Sequence, residues 1–196
     1  MTRIIAGFAG SLRLGVPPAG TRPTSDRVRE AIFSALDARG ILPGARVLDL
    51  YCGSGALGLE AASRGAAHVT LVDKSTAAHK VTSANAALVR KAAPRGAVPE
   101  IVVSSQPVQS FLGAAAGRDW DLVFLDPPYD LGGAELTHNL EALVRSIAPD
   151  AVVIVERSAR DPEPEWPARL ELERRRDYGE TAVFTLSVAE PEEPGA

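Results

Sequence analysis

The sequence predicts an α/β fold in which helices cover both faces of a mostly parallel sheet. From Arg46 onward, short apolar runs alternate with stretches in which apolar residues recur at helical spacing. Runs that are apolar throughout are typical of strands buried on both faces, and such strands form parallel sheets. Strands are predicted in this part of the chain at 47–50, 69–72, 101–103, 122–125 and 151–155.

The segments between these strands carry helix signals. One helix follows the glycines after residue 52 and runs to about Arg64, and Ser75 can cap a second helix that runs to about Lys91. Pro107 suits the first turn of a third helix. A fourth helix is predicted near 134–147. Helical crossovers of this kind are what parallel strands require.

The N-terminal segment departs from this rhythm. Apolar runs at 3–7 and 12–16 predict a short hairpin. Thr24 or Ser25 can cap a helix that Gly40 ends. The segment therefore reads as a small extension in front of the main domain.

The C-terminal segment predicts an edge hairpin. Apolar and charged residues alternate in 169–175, and a second alternating run follows at 181–188. An antiparallel hairpin at the edge of the sheet explains both. The expected organisation is an extension at 1–43, a main domain at 44–188 and a disordered Pro- and Glu-rich tail at 189–196.

The composition is that of a soluble globular enzyme. Of the 196 residues, 45% are hydrophobic and 23% are charged, and no apolar run is long enough to cross a membrane. Cys52 is the only cysteine, so no intramolecular disulfide forms and a reducing cytoplasm is the expected compartment. We expect a monomer with no membrane partner.

The net charge of −4 hides an uneven distribution. Residues 1–46 hold seven arginines against three acidic residues, whereas residues 160–196 hold five arginines against ten acidic residues. The N-terminal segment is therefore basic. Such a segment suits either a solvated helix surface or contact with a polyanion.

A glycine-rich segment follows the first buried strand. Gly53, Gly55 and Gly58 have the spacing of the dinucleotide-binding fingerprint, in which glycine lets the backbone turn sharply against a ligand. Asp49 lies inside the strand, where its carboxylate would repel a pyrophosphate but attract the ammonium or sulfonium charge of S-adenosylmethionine. Asp73 would bond ribose hydroxyls in either kind of site. The segment therefore favours S-adenosylmethionine, and the three histidines show no metal-ligand spacing.

The strongest chemical motif is Asp126-Pro127-Pro128-Tyr129, which follows the fourth strand. An exocyclic amine of a base is a poor nucleophile, because its lone pair is delocalised into the ring. The Asp126 carboxylate and the Pro127 carbonyl would each accept one amine hydrogen bond, and Tyr129 would stack on a flipped base. These four residues form the predicted catalytic segment of a base-amine methyltransferase. The competing interpretation is a Pro-Pro turn with Asp126 as a cap.

These motifs resemble a known family. The glycine-rich segment, Asp73 and 126–129 resemble class I methyltransferases that act on amino groups of nucleic-acid bases. The segments 22–33 and 3–7 resemble the RsmD family of 16S rRNA guanine-N2 methyltransferases more specifically, and this resemblance extends to about Leu186. It implies the Rossmann-like seven-stranded class I sheet and S-adenosylmethionine as methyl donor. It also implies guanine 966, in the family's nucleotide numbering, of 16S rRNA in a partly or fully assembled small subunit as the target.

The resemblance also assigns roles in cofactor binding. Asp49, Gly53 and Gly55 would line the methionine part of the cofactor. Asp73 would bind the ribose, and Lys74 would border the adenine. Ser105 and Gln106 stand where related enzymes contact adenine, although many of those enzymes have an acid there. The predicted cofactor-binding set is Asp49, Tyr51, Gly53, Ser54, Gly55, Gly58, Asp73, Lys74, Ser105 and Gln106.

The basic N-terminal segment supplies the predicted RNA contacts. Arginine side chains suit phosphate oxygens, but each of them could equally be a helix-surface partner of Asp26 or Glu30. Thr24 is expected to shape a loop over the active site. The predicted RNA-binding set is Arg3, Arg13, Arg22, Thr24, Arg27 and Arg29.

Three other functions are compatible with the motifs. Adenine-N6 methyltransferases acting on DNA or RNA use a similar acid-Pro-Pro-aromatic motif. Enzymes that methylate a protein glutamine usually carry Asn where this chain has Asp126. A non-catalytic RNA-binding protein of ribosome assembly would keep the fold without binding the cofactor.

Overall fold

A seven-stranded sheet is the centre of the computed structural model of the chain, which describes residues 2–18, 25–115, 117–128 and 130–189. The sheet strands are β3 (Arg46–Leu50), β4 (His68–Asp73), β5 (Glu100–Ser105), β6 (Trp120–Leu125), β7 (Ile147–Ser158), β8 (Leu170–Tyr178) and β9 (Thr181–Val188). A separate N-terminal pair consists of β1 (Thr2–Arg3) and β2 (Arg13–Leu14). The helices in the described residues are α1 (Asp26–Ala38), α2 (Ala56–Ser63), α3 (Thr76–Ala92), α4 (Val108–Ala114) and α5 (Gly133–Leu143).

The strand order confirms the predicted fold class. Across the sheet the order is β5-β4-β3-β6-β7-β9-β8. Strands β3 to β7 pair in parallel, whereas β9 runs antiparallel to both β7 and β8. The chain leaves β3 outward through β4 and β5, and then crosses back to β6 on the other side of β3. The carboxyl ends of β3 and β6 therefore flank a topological switch point, where open α/β sheets bind their ligands.

Two apolar clusters cover the two faces of the sheet. Successive residues of each central strand alternate between them, as in β3, where Val47 belongs to the first cluster and Leu48 to the second. Helices α1, α2 and α3 pack on the first face, and α4 and α5 pack on the second. Burial on both faces explains why the strand sequences are apolar throughout.

The N-terminal hairpin is bound tightly to helix α2. The backbone N–H groups of Ile5 and Ala6 donate to the two carboxylate oxygens of Glu60, at 2.6 and 3.0 Å. The N–H of Phe8 donates to the Ser63 carbonyl at 2.9 Å. Gly7 lies so close to that carbonyl that a Cβ atom would stand 1.9 Å from its oxygen. The hairpin is thus attached directly to helix α2 of the main domain. The predicted domain boundary at residue 43 stays a prediction.

Helix α1 begins where the cap residues predict. The Ser25 side chain accepts the N–H of Val28 at 3.3 Å, so Ser25 is the cap; the alternative, Thr24, lies outside the described residues. Ile32, Phe33 and Leu36 form the buried face of the helix. This face packs against the half of the sheet that contains β7 and β9.

Two sequence predictions of element ends are wrong. The helix predicted over 134–147 ends at Leu143, and the strand predicted at 151–155 begins at Ile147. The N–H of Ser146 closes a turn on the Leu143 carbonyl at 2.8 Å, and the Ser146 carbonyl accepts the Trp120 N–H at 2.9 Å. Pairing with β6 thus overrides the apolar periodicity that extended the helix. The tail predicted as disordered lies outside the described residues from 190 onward.

No helix in the described ranges is both long enough and apolar enough to span a lipid bilayer.

Candidate active site

Residues 51–55, here called the glycine loop, connect β3 to α2 at the switch point. Gly53 and Gly55 have φ values of +53° and +76°, a region in which a Cβ atom is unfavourable. A Cβ built on Gly53 meets no atom of the described structure within 4 Å, so the loop is open on that side. Open backbone beside a helix N-terminus is suited to close approach by a ligand.

Helix α3 holds the glycine loop from behind. The Thr82 hydroxyl donates to the Gly53 carbonyl at 2.7 Å, and the Asn85 amide donates to the Ser54 carbonyl at 2.9 Å. Asn85 also binds both backbone groups of Gly15, just after β2, at 2.8 and 3.0 Å. The sequence reasoning missed both side chains. Their signal was a pair of polar residues three positions apart on a helix, which is the spacing of one helix face.

Gly58 has a packing role and does not open onto the ligand side. A Cβ atom there would stand 2.4 Å from Leu71 Cδ2, so the residue lets α2 approach β4 closely. Its N–H donates to Asp49 Oδ2 at 2.9 Å. Its predicted place in the cofactor-binding set is therefore an indirect one.

Asp49 is a buried carboxyl group with one oxygen unused. Asp49 is 1% exposed, and its Oδ1 atom has no hydrogen-bond partner in the described part of the chain. The pKa of Asp49 is raised to about 8, mainly by burial; the Gly58 N–H opposes this rise, and the charges of Asp126 and Asp73 contribute to it. An orphaned buried carboxyl beside an open loop fits a ligand that brings positive charge or hydrogen-bond donors. The residues present therefore fit the cationic end of S-adenosylmethionine.

Asp73 lies at the end of β4 and closes the loop from the other side. Its Oδ2 accepts the Gly53 N–H at 3.0 Å, and its Oδ1 accepts the Ser75 N–H at 2.8 Å. Each carboxylate oxygen has a second lone pair, so both can still accept a ribose hydroxyl. Asp73 thus combines fixation of the loop with a free acceptor face.

The residues predicted beside the adenine lie next to Asp73. Ser105 is its register partner on β5, and the Gln106 N–H donates to the Asp73 carbonyl at 3.1 Å. The Gln106 side chain donates to the Ser104 hydroxyl at 2.8 Å. Lys74 is exposed beside them. The structure therefore brings these four predicted positions together at the carboxyl ends of β4 and β5. They lie at one end of the crevice that the strand ends form at the switch point.

The predicted catalytic segment follows β6 on the opposite side of the crevice. Leu125, the last residue of β6, pairs with Leu50 of β3, so Asp126 comes level with the start of the glycine loop. Asp126 is half-buried and Pro127 is buried, and the Pro128 carbonyl accepts the Leu131 N–H at 2.9 Å. Tyr129 lies outside the described residues.

Tyr51 and Cys52 direct their side chains into the core. The Tyr51 hydroxyl accepts the Asn139 amide of α5 at 2.8 Å, and the ring packs on the second apolar cluster. Burial, with the nearby charge of Glu135, raises the pKa of Tyr51 to about 12, against a lowering by Asn139. Burial likewise raises the pKa of the Cys52 thiol, which is therefore neutral and unreactive. Tyr51 is half-buried and Cys52 is buried.

The structure divides the predicted RNA contacts. Arg13 and Arg27 are exposed, and the Arg3 side chain is 64% exposed beside Asp26. Arg22 and Thr24 lie outside the described residues. The prediction for Arg29 is corrected: its side chain is 0% exposed and donates to Thr2, Arg3 and Asp26. A buried guanidinium does not reach an RNA phosphate.

Comparison with known proteins identifies the family. A family model described as "Conserved hypothetical protein 95" matches residues 2–187. The chain is 38% identical over 181 residues to "Ribosomal RNA small subunit methyltransferase D" of Escherichia coli K12, covering 92% of this chain and 86% of that protein. The chain belongs to this family. The resemblance first seen in segments 3–7 and 22–33 is thereby confirmed.

Solved structures of the family extend the agreement to the whole fold. The structure of yhhF from Escherichia coli is 33% identical, covers 95% of this chain and 97% of its own, and superposes with a TM-score of 0.80. A magnesium protoporphyrin IX methyltransferase from Synechocystis with bound SAM has a TM-score of 0.63 at 17% identity, covers 87% of each chain, and shares the fold alone. By its similarity to the Escherichia coli enzyme, this family member is a methyltransferase, and the dinucleotide interpretation of the glycine loop is set aside.

Proposed function

We propose that this methyltransferase transfers the methyl group of S-adenosylmethionine to the exocyclic N2 amine of guanine 966, in the family's numbering, of 16S rRNA. The placement of Asp126-Pro127-Pro128 beside the glycine loop at the switch point carries the proposal. The similarity to the Escherichia coli small-subunit rRNA methyltransferase supports the choice of RNA over DNA or protein.

The proposed chemistry assigns binding and orientation to the protein. The Asp126 carboxylate accepts one N–H of the guanine amine, and the Pro127 carbonyl accepts the other. Two acceptors fix the direction of the nitrogen lone pair, and the carboxylate stabilises the positive charge that develops on the nitrogen. The cofactor, when bound, supplies an electrophilic methyl group on a sulfonium. Tyr129 is proposed to stack on the target base.

The remaining crevice residues are proposed to hold the cofactor. Asp49 and the backbone of Gly53 and Gly55, which is open at Gly53, would face its methionine part. Asp73 would accept ribose hydroxyls, and Gln106 with Ser105 would border the adenine. The orphaned Asp49 oxygen and the empty space at Gly53 support this orientation.

Methylation of a defined substrate tests the proposed function. The purified enzyme is incubated with S-adenosylmethionine and a 16S rRNA fragment, and then with the same RNA assembled with small-subunit proteins. Nucleoside mass spectrometry is expected to show N2-methylguanosine at one position. N6-methyladenosine would refute the guanine assignment, methyl transfer to protein alone would refute the RNA assignment, and no binding of the cofactor would indicate a non-catalytic protein. A monomeric cytoplasmic enzyme remains the prediction for its working form.

Cofactor affinity is expected to rise with pH up to about 8. The Asp49 carboxyl is protonated below its pKa, and it loses that proton when it faces a positive charge. Below pH 8 the affinity should therefore gain up to about tenfold per pH unit, and it should level off above. Calorimetry in two buffers of different ionisation enthalpy counts the released proton. Asp49→Asn should lose this slope; an unchanged slope in the variant would assign the proton elsewhere.

A further inference from the structure

A groove separates helix α1 from the outer hairpin of the sheet. It lies on the first face of the sheet, away from α4 and α5. Its floor is apolar and its rim carries three arginines. The lining includes Ala31, Ala35, Arg39, Arg174, Arg176 and Tyr178.

A register shift in β8 directs two of these arginines into the groove. The pairing with β9 shifts between Leu172 and Arg174. After the shift, Arg174 and Arg176 line the groove, whereas Arg175 lies on the opposite face with its guanidinium 5.3 Å from the centre of the Phe184 ring. Without this shift, the alternation of the strand would place Arg175 in the groove and would place Arg174 and Arg176 on the opposite face.

The charge in the groove is positive. Arg39 is paired with Glu173 at 2.7 Å, which neutralises its positive charge at the end of the groove near the C-terminus of α1. Arg175 is paired with Asp177 at 3.0 Å on the other face. Within the ranges that the structure describes, neither Arg174 nor Arg176 forms an ion pair. Two uncompensated cations therefore stand over an apolar floor.

Helix α1 adds a third exposed cation, Arg27, near the N-terminus of the helix. Residues 27, 31, 35 and 39 follow each other at intervals of four, which places them along one line of the helix surface. Three members of this line, at 31, 35 and 39, border the groove. Arg27, the fourth, is exposed and therefore stands at the continuation of the same wall.

The groove is level with the catalytic segment. Residues 125, 155, 184 and 175 are register partners across β6, β7, β9 and β8, so Asp126 and Arg176 lie at the same height. Three strand spacings separate them, which amounts to roughly 14 Å. An extended polymer that places one unit at Asp126 can reach the groove with the units beside it.

We propose that this groove binds the single-stranded stretch of rRNA that flanks the target nucleotide. Arg174 and Arg176 neutralise phosphates, and the apolar floor with Tyr178 accepts base faces. This combination of a basic rim and a stacking surface is how single-stranded RNA is held. The inference rests on the proposed function and adds to it a substrate surface that the N-terminal arginines alone do not supply.

Neutralisation of the two arginines tests the groove. Binding of a labelled 16S rRNA fragment is measured by fluorescence anisotropy from 50 mM to 500 mM salt. Arg174→Ala/Arg176→Ala is expected to bind about tenfold more weakly near 150 mM salt, with the salt slope reduced by about 1.4, because about 0.7 is lost per phosphate contact. Cofactor affinity should be unchanged. Arg175→Ala is the matched control on the other face, and Arg174→Lys/Arg176→Lys should retain most of the binding and the salt slope.

The possible outcomes separate this inference from the proposed function. If the wild-type enzyme binds and methylates the RNA, but the alanine pair behaves like Arg175→Ala, the groove inference is wrong and the function stands. If the wild-type enzyme neither binds nor methylates rRNA, both are wrong. A wild-type dimer in sedimentation that the alanine pair dissociates would show a second copy in the groove, and would also overturn the inference.

Discussion

Replacement of Asp126 by alanine is expected to abolish methyl transfer while the cofactor still binds. The carboxylate is the proposed acceptor for the target amine and the counter-charge to its developing cation, so its effect falls on the transition state. Loss of one such preorganised group lowers rates by about a hundred- to a thousandfold. Loss of the amine orientation adds to this effect, because a misplaced nitrogen costs about another hundredfold. We expect no measurable turnover.

Single-turnover assays and calorimetry of the cofactor separate chemistry from binding for this variant. Asp73→Ala is the matched control, since Asp73 lies across the same crevice and is proposed to touch the cofactor. It should weaken cofactor binding and keep part of the rate at saturation. Asp126→Asn, which keeps one acceptor oxygen without the charge, should fall between wild type and alanine. An Asp126→Ala enzyme that lost only cofactor affinity would contradict the assigned role.

Much of this site follows from the sequence because of how parallel sheets are built. Carboxyl ends of parallel strands meet at one edge, so acids at or just after three strand ends come together. Asp49, Asp73 and Asp126 do so, closely enough that two of the charges raise the pKa of the third. The apolar strands and the glycine spacing gave the frame, and both depend on local patterns that a sequence displays.

The features that sequence reasoning missed depend on contacts between distant segments. Thr82 and Asn85 read as ordinary polar positions on a helix, yet they bind the glycine loop about thirty residues away. Strict alternation along β8 would place Arg174 and Arg176 on the face opposite the groove. The register shift after Leu172 reverses this, and it is visible only in the pairing with β9, so the sequence did not indicate the groove. Arg29 was read as a surface cation, since residue type alone indicates exposure.

Arg29 is instead the centre of a buried polar cluster that attaches the N-terminal hairpin. One of its nitrogens donates to the Thr2 hydroxyl at 2.9 Å and to the Arg3 carbonyl at 2.8 Å. Its other end lies 4.0 Å from the carboxylate of Glu60, which is also fully buried. Glu60 in turn accepts the backbone N–H groups of the hairpin. The cation therefore satisfies the hairpin from one side while the anion satisfies it from the other.

Arg29→Ala is expected to lower the free energy of unfolding by about 1–3 kcal/mol, because the Thr2 hydroxyl and the Arg3 carbonyl lose a buried donor, while Glu60 keeps its ion pair with Arg64 at 2.7 Å. The hairpin should loosen as well, which limited proteolysis between residues 3 and 16 would detect. Urea denaturation measures the loss, and Arg27→Ala, two positions away but exposed, should change stability by no more than about 0.5 kcal/mol.

RNA affinity separates a role in RNA binding from a role in stability. At temperatures where both variants are folded, Arg27→Ala should weaken RNA binding directly. An Arg29→Ala protein with wild-type stability and poor RNA binding would return Arg29 to the RNA surface, whereas a stability loss of the expected size would support its role in holding the hairpin.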